Sequence, residues 1–265
     1  MKYKGKSHDG QTLGDRCKEY EESTEQRINK EDHIVIRLDG HGFSKYTKKF
    51  IRPFDSTFSK AMQKVTIELC KEFGAISGYT QSDEITLILS PAHGKVKGVD
   101  VNTQIYAGRV TKLASLTAGF ATAVFNQLMI NYSNKIGWFD SRVYGVKTKE
   151  EATNSIIWRS RDAIKNSKGM FAHAYCSHKS LLNLNSQEQI DFCKETTGND
   201  WELAPEASKF GTLVKKTSVL KYSDYLKEEI MRKEYITLTV PMNTFSEDLV
   251  DLLTCIQLKE KECQK

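Results

Sequence analysis

Three acidic residues stand at points where apolar segments of the chain become polar. Asp39 directly follows the β-branched run HIVIRL at 33–38, and Asp83 and Glu84 lie between two further apolar segments. Carboxylates that lie close together raise one another's pKa unless a divalent cation or a basic group neutralises them. Mg²⁺ prefers such oxygen ligands and completes its coordination with water and substrate phosphates. If the three acids converge, they suit a metal-assisted phosphoryl or nucleotidyl transfer.

The residues around Asp39 are suited to binding phosphate. Gly40 and Gly42 allow backbone N–H groups to approach an anion. Basic residues follow in the next loop: Lys48, Lys49 and Arg52. A nucleoside triphosphate fits these groups. The spacing also fits a simpler alternative, in which Asp39 and Gly40 form a turn, residues 81–83 form a polar hairpin loop, and the lysines lie on a solvated face.

The predicted secondary structure brings the acids to one edge of a sheet. In chain order we expect a strand at 33–38, a helix from Asp55 or Ser56 to Gly74, strands at 75–80 and 84–89, a long helix at 104–131 and a strand at 138–144. This βαββαβ order predicts an α+β, ferredoxin-like fold. Asp39 then ends the first strand, beside the hairpin tip that carries Asp83 and Glu84.

Further helices and strands are predicted after this unit. A capping box at Thr148 and Glu151 predicts a helix to about Ser177, and a second box at Ser186 and Gln189 predicts a helix that ends at Gly198. A strand at 235–240 and a closing helix at 245–258 follow. We therefore divide the chain into a catalytic domain with an N-terminal extension at 1–145 and a helical, mixed part at 146–265.

Composition narrows the class of protein. The 265 residues include 39 Lys and Arg against 34 Asp and Glu, a net charge of +5 and 39% hydrophobic residues, which suits a folded protein and excludes a disordered or fibrous one. No apolar run approaches the roughly 20 residues that span a bilayer. The N-terminal segment is charged throughout, so we expect no signal peptide and a soluble, cytoplasmic protein. Six cysteines without a Cys-x-x-Cys pair argue against a zinc site or a disulfide framework.

Several longer motifs resemble one known family. The segments are RLDGHGFSKY at 37–46, FIRPFDS at 50–56, GYTQSDEITLIL at 78–89, GRVTKLASLTAGFATAVFN at 108–126, GWFDSRVYG at 137–145 and WRSRDAIKN at 158–166. Together they resemble the tRNA-His guanylyltransferase superfamily, which extends RNA in the 3′-to-5′ direction with a domain similar to the palm of polymerases. The resemblance implies that the βαββαβ unit is a polymerase-type palm, with additional C-terminal helices and strands.

The resemblance also implies roles for particular residues. Asp39 and Asp83, with the Gly40 carbonyl, would hold two Mg²⁺ ions, and Glu84 would be an adjacent essential acid, unless it points away from the metals and is structural. The implied nucleotide contacts are Arg37, Asp39, Gly40, His41, Gly42, Phe43, Ser44, Arg52, Ser82 and Asp83. The implied phosphate or RNA contacts are Lys49, Arg109, Lys112, Arg159, Asn166 and Lys209.

The implied reaction has two steps. ATP or GTP activates the 5′-monophosphate of a tRNA, and the 3′-hydroxyl of a nucleoside triphosphate then attacks the activated phosphate, so that AMP leaves when ATP was used. A 5′-triphosphate substrate needs no activation. The resemblance further implies a homotetramer that contacts tRNA through its C-terminal part and has no membrane partner.

One stretch departs from the family pattern. Where eukaryotic tRNA-His guanylyltransferases have His-Ile-Asn-Asn-Leu-Tyr-Asn, residues 164–170 read IKNSKGM, and only Asn166 is retained. This resembles the tRNA-His guanylyltransferase-like branch, whose members rebuild truncated tRNA 5′ ends by templated pairing. We therefore expect a template-dependent 3′-to-5′ polymerase. The alternatives are a tRNA-His guanylyltransferase that adds one guanosine, a metal-free RNA-binding protein on the same scaffold, and a palm-fold cyclase.

Some aromatic and histidine residues are expected to be structural. Phe43, Phe50 and Phe58 are expected in the core rather than as base-stacking platforms. The two histidines His173 and His178 are five residues apart, which does not place both on one helical face. We expect these histidines and Trp158 to have structural roles.

Overall fold

The bounds of the helices and strands come from a computed structural model that describes residues 11–92, 95–96, 99–100, 104–223, 225, 227–255 and 257–258. The helices are α1 (Leu13–Glu22), α2 (Phe43–Tyr46), α3 (Ser56–Phe73), α4 (Val110–Met129), α5 (Lys149–Tyr175), α6 (Ser186–Thr197), α7 (Glu206–Phe210) and α8 (Glu247–Thr254). The strands are β1 (His33–Gly40), β2 (Ser77–Gln81), β3 (Glu84–Leu89), β4 (Lys95–Val96), β5 (Val99–Asp100), β6 (Phe139–Val146), β7 (Thr212–Ser223), β8 (Glu228–Leu238) and β9 (Gln257–Leu258). Residues 1–10, at the start of the predicted N-terminal extension, and Cys263 lie outside the described residues.

The main sheet confirms the predicted α+β, ferredoxin-like arrangement. Its strand order is β6-β1-β3-β2-β7-β8, and β9 pairs in parallel with β7. The first four strands of this order form the predicted βαββαβ unit, in which β1 pairs antiparallel with both β3 and β6. β4 and β5 form a separate two-stranded sheet.

The two faces of the sheet bury different side chains, because successive residues of a strand point to opposite sides. On β1, Ile36 and Leu38 belong to the core shared with α3 and α4. On β3, Ile88 belongs to a second core shared with α5 and α8. Arg37 and Asp39 alternate with Ile36 and Leu38 along β1, so they lie on the opposite face of the sheet, which α5 partly covers.

The helix after the first strand begins and ends where the sequence predicts. Asp55 is the N-cap of α3 and accepts a hydrogen bond from the Phe58 N–H at 2.9 Å. Gly74 ends the helix with a φ of +67°, in the left-handed region that glycine favours. Met62 and Leu69 on its apolar face are buried against the sheet. Local signals therefore fix this part of the chain.

Two predicted helices are shorter in the structure. α4 begins at Val110 rather than Gln104, because Tyr106 and Ala107 have φ values of +47° and +53°, which a right-handed α-helix does not accommodate. α8 covers Glu247–Thr254 rather than 245–258, since Cys255 already has extended backbone angles. The residues before α4 instead form a short 3₁₀ turn.

The two predicted capping boxes also differ from the structure. Thr148 caps α5 by accepting from the Glu151 N–H at 3.2 Å, but the Glu151 carboxylate accepts from Asn154 at 3.1 Å instead of returning to the cap. The box of α6 is formed by Asn185 and Glu188, one residue earlier than predicted. Asn185 has the extended backbone of an N-cap, whereas the next residue is already helical.

The C-terminal part completes the same sheet. β7, which the sequence analysis did not predict, pairs antiparallel with β2 over residues 77–80 and 212–215. The buried Ser77 hydroxyl donates to the Leu253 carbonyl at 2.7 Å and joins α8 to β2. Within the described ranges, the helices are all too short or too polar to cross a membrane.

Candidate active site at the acidic edge of the sheet

The antiparallel register brings four carboxylates to one end of β1. Asp39 lies opposite Glu84 on β3 and opposite Asp140 on β6. Asp83 precedes β3 directly, and its carbonyl accepts from the Gly40 N–H at 3.1 Å. The structure therefore brings Asp39, Asp83 and Glu84 together, as the predicted topology requires.

Gly40 allows this close approach between the two chain segments. A Cβ at this position would lie 2.8 Å from the Asp83 Cβ and 2.5 Å from the Phe43 ring, so no larger residue fits without displacing both. Across the hairpin, Ser82 has a φ of +53° in a turn of two residues between β2 and β3. This tight turn sets the position of Asp83 beside β1.

Two of the four carboxylates have arginine partners. Arg159 from α5 donates to both oxygens of Glu84, from Nε to Oε2 and from Nη2 to Oε1, each at 2.7 Å. The same guanidinium donates from Nη1 to Asp162 at 3.1 Å. Arg142 lies 3.3 Å from the Asp140 carboxylate. Glu84 is therefore held by a bidentate pair with a buried arginine.

The other two carboxylates, Asp39 and Asp83, have no ion pair among the described residues. Burial, together with the charges of Asp39 and Glu84, raises the pKa of Asp83 to about 6, and hydrogen bonds from the Asp83 backbone and the Ser82 hydroxyl partly oppose this shift. The Ser82 hydroxyl donates to the Asp83 carboxylate at 3.1 Å. An uncompensated pair of carboxylates is the donor set that a divalent cation neutralises.

A cation bound by Asp39 and Asp83 would have few protein ligands. No group of three or more His, Cys, Asp or Glu side chains in the described part of the chain is arranged to hold a metal ion. Two carboxylates and a backbone carbonyl still fit Mg²⁺, which binds through one or two carboxylates and takes the rest of its ligands from water and substrate phosphates. The residues present therefore fit the predicted cation.

A cavity of about 520 Å³ opens beside Asp83. It lies between the loop before α3, the hairpin tip, α5 and α7, and both polar and apolar residues line it. The predicted nucleotide contacts on its wall are Phe43, Ser44, Arg52, Ser82 and Asp83. The Phe43 ring itself is buried against Phe125 and Phe139, with centroids 5.3 and 5.1 Å away, so only its backbone is free for a ligand.

A second cavity of about 710 Å³ lies on the other side of the hairpin tip. Asp83 lines both cavities, and Glu84 and Arg159 line only the second one. The wall formed by α5 includes Lys165 and Asn166, from the stretch that departs from the family pattern. The opposite wall is the beginning of α6. Asp83 therefore lies at the junction of two spaces, each large enough for part of a substrate.

Four of the predicted phosphate or RNA contacts lie away from these cavities. Arg109 is paired with Glu25 at 2.7 Å, and the Lys112 ammonium lies 5.2 Å from the Tyr106 ring. Lys49 is exposed in a 3₁₀ turn. Lys209 is only 6% exposed, and its ammonium donates to the Glu202 carbonyl at 2.7 Å. Because the Lys209 ammonium is turned into the protein, it is not available to a surface phosphate.

Sequence reasoning missed Asp140 and the surroundings of Trp158. Asp140 lies in the quoted segment GWFDSRVYG, and antiparallel pairing of that strand with β1 would have placed it opposite Asp39. Trp158 is 53% exposed, and the guanidiniums of Arg159 and Arg37 lie 4.6 and 5.3 Å from its ring centroid. Arg37, an expected nucleotide contact, therefore lies against this indole. Nothing in the local sequence reveals either arginine contact.

The sequence and the fold match those of known proteins. The model of the family described as Thg1, tRNAHis guanylyltransferase, matches residues 14–147, about half of the chain. The chain belongs to the tRNA-His guanylyltransferase family. The matched range contains Asp39, Asp83, Glu84 and Asp140, and members of the tRNA-His guanylyltransferase family are nucleotidyltransferases.

Individual proteins match this chain over most of its length. It is 32% identical over 244 residues to the uncharacterized protein R259 of Acanthamoeba polyphaga mimivirus, a match that covers 84% of this chain and 82% of R259. A structure of a bacterial tRNA(His) guanylyltransferase-like protein in complex with ATP has a TM-score of 0.70 at 29% identity and covers 83% of this chain and 91% of that chain. The bacterial structure in complex with GTP has a TM-score of 0.66 at 28% identity and covers 85% and 90%. These structures confirm the predicted palm-type fold.

Proposed function

We propose that this protein is a template-dependent 3′-to-5′ RNA polymerase that rebuilds truncated 5′ ends of tRNA in the cytoplasm. The observation that carries the proposal is the position of the unpaired Asp83 at the junction of two cavities, with Asp39 on the adjacent strand beside it. A nucleotidyl transfer joins two substrates at one charged centre, and this arrangement provides a space for each.

Asp39 and Asp83 would hold two Mg²⁺ ions together with the Gly40 carbonyl. The raised pKa of Asp83 supports this assignment, because a buried carboxylate beside another carboxylate is stabilised by a positive charge. When bound, Mg²⁺ ions neutralise phosphate charge and lower the pKa of an attacking hydroxyl. The role of the chain's own residues is to hold the reacting groups at this point and to limit the access of water.

The smaller cavity would hold the nucleoside triphosphate. Ser44, Ser82 and Arg52 provide hydroxyl and guanidinium donors on its wall, and its apolar lining suits a nucleobase. The bacterial relatives whose structures contain ATP and GTP support nucleotides of this kind as substrates. ATP first transfers AMP to the 5′-phosphate with loss of pyrophosphate, and the 3′-hydroxyl of the next nucleotide then displaces AMP.

The larger cavity would hold the 5′ end of the RNA. Lys165 and Asn166 give its α5 wall hydrogen-bond donors for a phosphate, and the Arg159 guanidinium is fixed on the same side by Glu84. Residues 164–170 lack most of the pattern found in enzymes that add guanosine without a template. We infer that the templating base, rather than the protein, selects the added nucleotide. We further propose that the part at 146–265 contacts tRNA and that the protein is a homotetramer.

The test is nucleotide addition to a 5′-labelled, monophosphorylated tRNA that lacks its first nucleotide. Each nucleoside triphosphate is supplied in turn with ATP and Mg²⁺, and the base opposite the gap is varied through all four. We expect the added base to follow the template. Addition of guanosine alone, restricted to tRNA-His, would establish the narrower tRNA-His guanylyltransferase instead. Absence of Mg²⁺-dependent nucleotide binding would contradict both activities.

A further inference from the structure

Trp158 is an exposed indole next to the acidic edge that the proposed reaction does not use. The residue is 53% exposed, so part of the side chain is open to a ligand. The guanidiniums of Arg159 and Arg37, at 4.6 and 5.3 Å from the ring centroid, support the ring by cation–π contacts. Arg159 is in turn fixed by its bidentate pair with Glu84. The indole is therefore exposed to solvent and is also held in place by its two arginine contacts.

The indole lies on the same face of the sheet as the acids. Arg37 and Asp39 are two residues apart on β1, so their side chains point to the same face. Because the Arg37 guanidinium contacts Trp158, the indole lies on this face as well. Two residues of a strand span roughly 7 Å, which is about the height of two stacked nucleotides. A nucleobase attached to a phosphate at Asp39 is thus within reach of Trp158.

We propose that Trp158 is a stacking platform for the nucleobase at the 5′ end of the RNA acceptor. This inference rests on the proposed function, since it takes the reacting 5′-phosphate to lie at Asp39 and Asp83. Stacking on an aromatic ring tolerates every base, because each base has a π-face. That property suits a polymerase whose acceptor end changes identity after each addition.

The charge around the indole favours RNA over another protein surface as its partner. Arg142 on the edge strand β6 lies opposite Arg37 in register; Arg142 is 3.3 Å from the Asp140 carboxylate, whereas Arg37, which contacts the indole, has no ion pair among the described residues. Proteins bind single-stranded nucleic acid with this combination: arginine contacts the phosphates, and an exposed aromatic ring stacks on the bases. β6 is the last strand of the main sheet on this side, so the approach along it is not blocked by a further strand of that sheet.

The test measures equilibrium binding of a 5′-monophosphorylated tRNA in Mg²⁺ without any nucleoside triphosphate, so that it does not depend on catalysis. We expect Trp158→Ala to weaken binding about tenfold and Trp158→Phe to weaken it much less, because a phenyl ring still stacks. Tyr20→Ala, which removes a 72% exposed ring from α1, outside the part proposed to contact tRNA, is the matched control and should not change affinity. The midpoint of thermal unfolding of each variant shows that the fold is intact.

A modified RNA identifies the stacked base. An acceptor with an abasic 5′-terminal nucleotide should bind the wild type about as weakly as the intact RNA binds Trp158→Ala, and combining both changes should add little. Equal affinity of wild type and Trp158→Ala for intact RNA would overturn the platform, as would a change in oligomeric state without a change in RNA affinity. The nucleotide-addition assay reads out the proposed function separately, because the wild type can add nucleotides whether or not Trp158 contributes to binding.

Discussion

The acidic edge of the sheet contains two kinds of carboxylate that differ in their partners. Glu84 and Asp140 each face an arginine, whereas Asp39 and Asp83 lie between them without a basic partner among the described residues. Neighbouring carboxylates of the same chemical type therefore have different roles. We propose that the arginine-paired acids hold the frame of the site and that the unpaired acids form a negative centre for a cation.

The strongest test of this difference is the loss of an unpaired acid. Asp83→Ala should reduce both 5′ activation and nucleotide addition by a thousandfold or more, at or beyond the roughly 10²–10³-fold cost of removing one group that stabilises charge in a transition state. The affinity for tRNA should change little. Single-turnover rates measured beside tRNA binding check both statements. Retained nucleotide addition would refute the assignment of the metal ligands.

Loss of a paired acid should instead act on stability. Glu84→Ala leaves the buried Arg159 guanidinium without its main partner, and we expect the free energy of unfolding to fall by about 3 kcal/mol. The double variant with Arg159→Met should recover part of this loss. Urea unfolding of both proteins, with Asp39→Ala as the control that should not be destabilised, provides the comparison. If Glu84→Ala were as stable as that control, the structural role of the pair would be wrong.

The unpaired Asp83 should also make the stability of the protein depend on pH. The pKa of Asp83 is raised from 3.8 to about 6, so the folded state binds more protons than the unfolded state between these values. Stability of the metal-free protein should therefore fall as the pH rises from about 4 to 6. Asp83→Asn should remove this dependence and stabilise the metal-free protein by about 1–3 kcal/mol at pH 7. Unfolding measured in EDTA at both pH values tests this, and an unchanged pH profile would count against the buried, uncompensated acid.

The smallest expected effect is on nucleotide binding in the cavity of about 520 Å³ that Asp83 and Arg52 line. Arg52→Ala removes a guanidinium from its wall and should raise KM for the nucleoside triphosphate about tenfold. Lys49→Ala is a matched control, because Lys49 is an exposed basic residue of the same loop that does not line the cavity. Identical kinetics of the two variants would place Arg52 on the solvated face.

Much of the palm was predictable because its signals are local. Asp55 and Gly74 mark the ends of α3 by their own capping chemistry, and the alternation along β3 fixes which side chains face the core. The order of these elements then places Asp39 beside Asp83. By contrast, the start of α4 depends on left-handed backbone angles at Tyr106 and Ala107, which neither residue type suggests.

The partners of the acids were not predictable from local patterns. Arg159 and Glu84 are 75 residues apart, and their pairing depends on how α5 crosses the sheet. The same crossing exposes Trp158, which the sequence analysis assigned a structural role. Lys209 was a predicted phosphate or RNA contact, but tertiary packing turns its ammonium inward. Long-range geometry thus decides which charged residues are available to a substrate.

The most direct test of the central claim is an exchange of the templating base. Two truncated, monophosphorylated tRNAs that differ only in having C or U opposite the gap are given GTP and ATP in competition, with Mg²⁺, and the added nucleotide is sequenced. Templated repair predicts that the preference inverts, with G added opposite C and A added opposite U. A preference for G on both RNAs would contradict a template-dependent polymerase.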